Sequence, residues 1–187
     1  ERVIGSEERG TAPLDARLKA AARCAAQGYP LAFHFDPIVI DDGCEAEYRR
    51  TVERLFAVID PRYIVWISLG ALRFMPDLKG VVQNRFPQSK IPYGEFITGL
   101  DGKMRYFKPL RMQIYRAIAQ AIRAQAPDVC LYFCMEDDEG WQDTLHFVPA
   151  ERGGLARMLD DAAGRQCGLG AGVRRRRNGG STRKAGL

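Results

Sequence analysis

PLAFHFDPIVI, residues Pro30–Ile40, decides the fold. An apolar run rich in Phe, Val and Ile, with Gly28 and Pro30 before it and Asp41-Asp42-Gly43 after it, reads as an interior β-strand. Strands buried on both faces of a parallel sheet are near-continuous apolar runs. His34 and Asp36 interrupt this one two residues apart, so on a strand they share a face. Chemistry in α/β sheets and barrels gathers at strand ends. Either the two side chains satisfy each other and nearby backbone, or they line the mouth of a site.

Outward from that strand the pattern alternates. A helix is expected over 12–27, capped by Thr11 and ended by Gly28, and a second over 44–59, whose Tyr48, Val52, Leu55, Phe56 and Ile59 form one stripe. YIVWISLGAL, Tyr63–Leu72, is the next buried strand. Pro76 opens a helix with Leu78, Val81, Val82 and Phe86 inward, and Pro87 ends it. Residues 90–96 are a short extended piece, and Ile97–Pro109 is a loop rich in glycine, charge and aromatics. A helix over 110–124, the strand VCLYFCM (Val129–Met135) and helices over 138–146 and 155–163 follow. Strict alternation of strand and helix implies an α/β domain with mostly parallel strands and helices outside. Half of a (β/α) barrel fits, with further strands expected upstream. The start, Glu1-Arg2-Val3, has no initiator Met and no signal-peptide pattern, so the chain is expected to begin within a longer protein.

The net charge of +5 is a property of one end. Residues 164–187 hold seven of the 28 cations and no acid, which leaves 21 cations against 23 acids, a net of −2, over residues 1–163. The expected organisation is one domain over 1–163 and a disordered Gly/Arg tail over 164–187. No apolar run is long enough to cross a bilayer, so no membrane partner is expected. Five scattered cysteines, Cys24, Cys44, Cys130, Cys134 and Cys167, without a secretory signal suggest reduced thiols and a cytoplasmic protein.

Cys130 and Cys134 invite a metal reading. Four residues along a strand separate them by roughly 13 Å, whereas two thiolates on one zinc lie no more than about 4.6 Å apart. They read as core thiols. The segment 99–111 carries Lys103, Arg105, Lys108 and Arg111 against Asp101, with Tyr106 and Phe107 interleaved. Cations with stacking aromatics suit a nucleic-acid or phosphate contact; a solvated loop with its aromatics tucked beneath a neighbour is the alternative. Glu95 and Glu136, at the ends of extended pieces, are candidate polar residues of the mouth, and His146 stands alone. Walker, dinucleotide-glycine and serine- or cysteine-triad patterns do not occur.

GYPLAFHFDPI (28–38) and LDGKMRYFKP (100–109), together with WISLGALRFMPDLKGVVQNRFPQSKI (66–91) and APDVCLYFCMED (126–137), resemble the C-terminal half of spore photoproduct lyase-like proteins, radical S-adenosylmethionine (SAM) enzymes of the DNA-repair lyase type. The resemblance covers about residues 1–141. It implies a partial (β/α)6 barrel and a 4Fe-4S cluster on a C-x3-C-x2-C loop. It also implies reductive cleavage of SAM to a 5′-deoxyadenosyl radical that abstracts hydrogen from a thymine-dimer lesion. The cluster motif does not occur in this sequence, so the chain resembles the second half of the barrel and is expected to be inert alone. In the family pattern the ends of the strands at 30–40 and 63–72 wall the cofactor pocket, which assigns His34, Asp36 and Ser68 to cofactor binding. The loop meets lesion DNA, which assigns Lys103, Arg105, Tyr106 and Arg111 to substrate. FHFDP sets the chain apart from the better-studied lyases, so the resemblance is to the wider group rather than to one lesion. A non-catalytic α/β module holding nucleic acid through the basic loop is the alternative.

Overall fold

The computed structural model describes residues 1–168 as seven helices and six strands in two small sheets. The first sheet is parallel. Its strands β1 (Leu31–Ile38), β2 (Ile64–Ala71) and β6 (Cys130–Phe133) lie in the order β1-β2-β6, with Phe33 opposite Ile67 and Leu69 opposite Phe133. The second sheet is antiparallel and joins β3 (Arg73–Phe74), β4 (Phe96–Thr98) and β5 (Met104–Tyr106) in the order β3-β5-β4.

The helices are α1 (Arg2–Glu7), α2 (Leu14–Ala26), α3 (Cys44–Val58), α4 (Pro76–Arg85), α5 (Lys108–Gln125), α6 (Asp138–Leu145) and α7 (Leu155–Gln166). The amphipathic stripes of α3 and α5 pack on the sheet face formed by Phe33, Phe35, Ile67, Leu69, Leu131 and Phe133. Val52, Leu55, Ile118 and Ile122 are buried there. Rings bridge the layers: Phe35 to Tyr48 at 6.4 Å, Tyr115 to Phe133 at 4.7 Å, and Phe133 to Trp141 at 5.2 Å. Burying this stripe against the sheet is the main stabilising contribution, at about 25 cal/mol per Å² of apolar surface removed from water. No described helix is long and apolar enough to cross a membrane.

Several expectations are corrected. The strand at 30–40 is not buried on both faces: β1 is an edge strand, and Ala32, His34 and Asp36 alternate outward while Phe33 and Phe35 turn toward the helices. The stretch 97–109 is not a loop. It contains a β-hairpin, with Gly102 at φ 76° in its turn. The inward stripe expected on α4 does not exist, because Leu78, Val81 and Phe86 are exposed and no residue of that helix is buried. Thr11 does not cap α2; its hydroxyl donates to the Glu8 carbonyl, and Pro13 holds the cap position. The last helix runs through Gln166, three residues past the expected domain boundary. The rest of the tail, 169–187, lies outside the described residues.

Candidate functional site

The face of the parallel sheet opposite α3 and α5 carries His34 and Asp36 from β1, Ser68 and Gly70 from β2, and Tyr132 from β6, with Cys134 just past the end of β6. Register places His34 beside Ser68 and Ser68 beside Tyr132. The Ser68 hydroxyl and His34 Nδ1 share a hydrogen bond of 2.6 Å. Ser68 is buried while His34 remains open to solvent, so the pair presents an imidazole whose orientation is fixed from beneath. Over the first part of this face lies α7, whose Met158 carbonyl is 3.9 Å from the Cys130 thiol. Among the described residues no helix covers the carboxyl end of the face.

At that end Arg73, the first residue of β3, acts as a hub. Its guanidinium donates to both Asp36 oxygens at 3.3 and 3.4 Å, to the Ala71 carbonyl at 3.1 Å, to Cys134 Sγ at 3.1 Å and to Met135 Sδ at 3.1 Å. One side chain thus ties together the ends of all three parallel strands. Burial works against its charge, yet pairing with Asp36 carries its pKa upward. Burial also pushes the Cys134 thiol up, against the pull of Arg73. Gly70 makes room for this arrangement, since a Cβ there would lie 2.7 Å from Asp36 Oδ2 and 3.1 Å from Arg73 Nη1.

The hairpin brings a second cation to the same place. Asp101 accepts from the Lys103 backbone N–H at 3.2 Å and from Arg105 Nη2 at 2.5 Å. Although desolvation opposes it, these donors hold the Asp101 carboxyl below the usual range. Lys103 Nζ lies 4.0 Å from Asp101 and 3.8 Å from Met135 Sδ. Met135 is therefore a shared neighbour of Lys103 and Arg73, and the hairpin turn meets the strand-end cluster there. Arg105 is largely covered, and its Nε is buried with no partner among the described residues.

Two of the residues assigned to substrate stand elsewhere. Tyr106 is 2% exposed, its ring stacks on Phe96 at 4.4 Å, and its hydroxyl accepts from the Ile40 N–H at 3.1 Å. Gly94 admits this ring, because a Cβ there would come within 2.5 Å of it. Arg111 is 4% exposed and grips Glu136 with two bonds of 2.9 and 3.0 Å, while Nη1 donates to the Tyr106 carbonyl at 2.5 Å. The Tyr115 hydroxyl donates to Glu136 at 3.0 Å and accepts from the Ala71 N–H at 2.7 Å. Burial first, and then the Glu136 charge, push the Tyr115 phenol far up, so it stays a neutral donor. Tyr106 and Arg111 are thus buried and bonded from within, behind the mouth. Glu136 is the anchor of this network rather than a free polar group of the mouth.

Lys108 pairs with Asp137 at 3.1 Å and Glu139 at 2.5 Å, and Asp137 caps α6 by accepting from the Gly140 N–H at 2.8 Å. Sequence reasoning did not find Arg73. A lone arginine after a strand carries no signal until the fold shows what it reaches. Among the described residues no cluster of three or more His, Cys, Asp or Glu side chains could hold a metal ion.

The comparisons with known proteins point one way. The family profile "Spore photoproduct lyase" matches residues 1–126. The spore photoproduct lyase of Bacillus subtilis (strain 168) is 39% identical over 95 residues, and that of a Geobacillus species 33% identical over 95 residues. Each alignment takes in 50% of this chain and 28% of the relative. Among solved structures, a cysteine-to-alanine mutant of spore photoproduct lyase with dinucleoside spore photoproduct matches with a TM-score of 0.64 at 26% identity. That match covers 72% of this chain and 42% of the other. A double mutant with bound AdoMet and dinucleoside spore photoproduct matches with a TM-score of 0.60 at 25% identity, over 71% and 41%. The chain thus spans less than half the length of the relatives it matches.

Proposed function

The chain belongs to the spore photoproduct lyase family, and from that membership we propose that it supplies the later strands of a partial (β/α)6 barrel in a radical SAM lyase that repairs thymine-dimer lesions in DNA. One observation carries the reading: the Asp36–Arg73 pair and Lys103 converge on Met135 at the carboxyl ends of the parallel strands, beside a stretch of sheet face that no described helix covers. In parallel α/β architectures that is the end at which ligands bind.

The donor set on the face fits SAM. Asp36 and His34 offer an acceptor and an imidazole to ribose hydroxyls, Ser68 fixes the imidazole, and Arg73 offers a guanidinium to a carboxylate. When bound in the family, SAM supplies the radical that begins lesion reversal. This chain's residues do not fit a 4Fe-4S cluster: Cys130 and Cys134 are on or beside one strand without a third cysteine nearby, and the sequence has no C-x3-C-x2-C. We therefore assign the chain a binding and positioning role, inert without a cluster-bearing partner segment. Residues 1–166, to the end of α7, form the barrel portion, and the basic tail follows. The assembly is cytoplasmic. Lys103, aided by Arg105, meets the DNA backbone, with Tyr106 and Arg111 holding the hairpin from beneath.

Lys103 and Arg105, carried on one hairpin, also support a second reading, an α/β module that holds nucleic acid without chemistry. Titrating the whole chain with an oligonucleotide containing the lesion, and with its undamaged counterpart, separates the two. The lyase reading expects preference for the lesion. Equal binding of both strands leaves only the module. In either case Lys103→Ala reduces the slope of log K against log salt by about one. An unchanged slope removes the hairpin from the DNA interface.

A further inference from the structure

We propose a phosphate-binding site at the opposite end of the parallel sheet, where Arg123, Arg152 and Arg165 face one polar cavity. The cavity measures about 440 Å³, within the range of small-ligand pockets, and is walled by the Val129–Leu131 start of β6, Phe147, and Met158 of α7. Arg123, near the end of α5, donates through Nη1 to the Pro127 and Val129 carbonyls at 3.0 and 2.6 Å. Arg152 stacks its guanidinium 3.5 Å from the centre of the Phe147 ring. Arg165 projects from the last turn of α7.

Three like charges around one cavity need an explanation. Of the two carboxylates at its wall, Asp161 pairs with Arg157, and none of the three arginines forms an ion pair among the described residues. Residues 169–187 contain no Asp or Glu side chain to neutralise them. Burial first, and then the Arg152 charge, lower the Arg123 pKa, and the Asp128 carboxylate at the wall offsets only part of this. An anion with several oxygens relieves the repulsion, and guanidinium forks match phosphate geometry. Arg152 and Arg165 lie beyond the family match over 1–126, so two of the three cations of the site stand in the part of the chain that membership does not describe.

Pyrophosphate is the probe, titrated calorimetrically into the whole chain at low salt. The expected result is saturable one-to-one binding with Kd about 1 mM or tighter. Arg152→Gln and Arg165→Gln should each weaken it about tenfold. Both side chains are exposed, so the substitutions leave the fold intact, and a thermal melt verifies this. Arg73→Gln, at the far end of the sheet, should leave pyrophosphate binding unchanged. The absence of saturable heat overturns the proposal. So does binding that survives both substitutions, which is what Arg174–Arg177 of the tail would give. If a short oligonucleotide displaces pyrophosphate from the wild type, the natural phosphate is that of a nucleic-acid strand; if it does not, the natural phosphate is that of a small ester. Either outcome retains the site.

Discussion

Arg111–Glu136 and Arg73–Asp36 both sit at the carboxyl end of the parallel sheet, one beneath α5 and the other on the open face. In the first pair both side chains are 5% exposed and the contacts are 2.9 and 3.0 Å; in the second they are 19% and 26% exposed and the contacts stretch to 3.3 and 3.4 Å. Glu136 has a further donor in Tyr115, and Arg111 a further acceptor in the Tyr106 carbonyl, so each nitrogen and each carboxylate oxygen of the sealed pair has a partner. Arg73 spends its remaining donors on a carbonyl and two sulfurs, which are weak acceptors. The sealed pair fixes where β2, β5 and β6 end. The open pair can exchange its partners for a ligand.

The most forceful way to break this comparison is Glu136→Ala. It leaves a buried guanidinium without its counter-charge and should cost about 3–5 kcal/mol by chemical denaturation. A loss near zero would mean that the pair is not sealed. Gly70→Ala tests how closely the open pair is seated. Its Cβ lands on Asp36, so a stability loss of about 1–3 kcal/mol should accompany loss of SAM binding, and undiminished binding would show that the seating does not matter. Asp137→Ala removes the cap of α6 at a cost of about 1 kcal/mol at neutral pH. Although burial raises it, the Asp137 carboxyl is held below its ordinary value of 3.8 by the Gly140 N–H and by Lys108. A depressed carboxylate stabilises above its unfolded pKa, and that stability fades as pH falls through the folded value. Wild type and variant should therefore converge below pH about 4, and a constant gap would refute the assignment. The smallest stability effect belongs to Asp36→Asn. Loosening a half-exposed pair should cost under about 1 kcal/mol while weakening ligand binding more than any stability loss accounts for.

What could be read before folding follows from how local each signal is. The strand at 30–40 and the helices at 44–58 and 108–125 were legible because an apolar run or a helical stripe is written in consecutive residues. The hairpin at 96–106 was not, because its strands are three residues long and Gly99, Asp101 and Gly102 between them resemble any loop. The stripe on α4 was read correctly as a pattern and wrongly as buried, since periodicity names a face without naming what covers it. At the site, His34 and Asp36 announced themselves as polar breaks in an apolar run. Arg73 and the partnership of Arg111 with Glu136, 25 residues away, depend on contacts that only the folded chain supplies.

Among the described residues the outer side of β1 pairs with no other strand. Its amides and carbonyls are a template with the spacing of a sheet already built, and any extended peptide that reaches it can dock by backbone alone, whatever its side chains. Stock solutions of this polypeptide should therefore cloud as concentration rises, and a short soluble β-strand peptide added in excess should keep them clear.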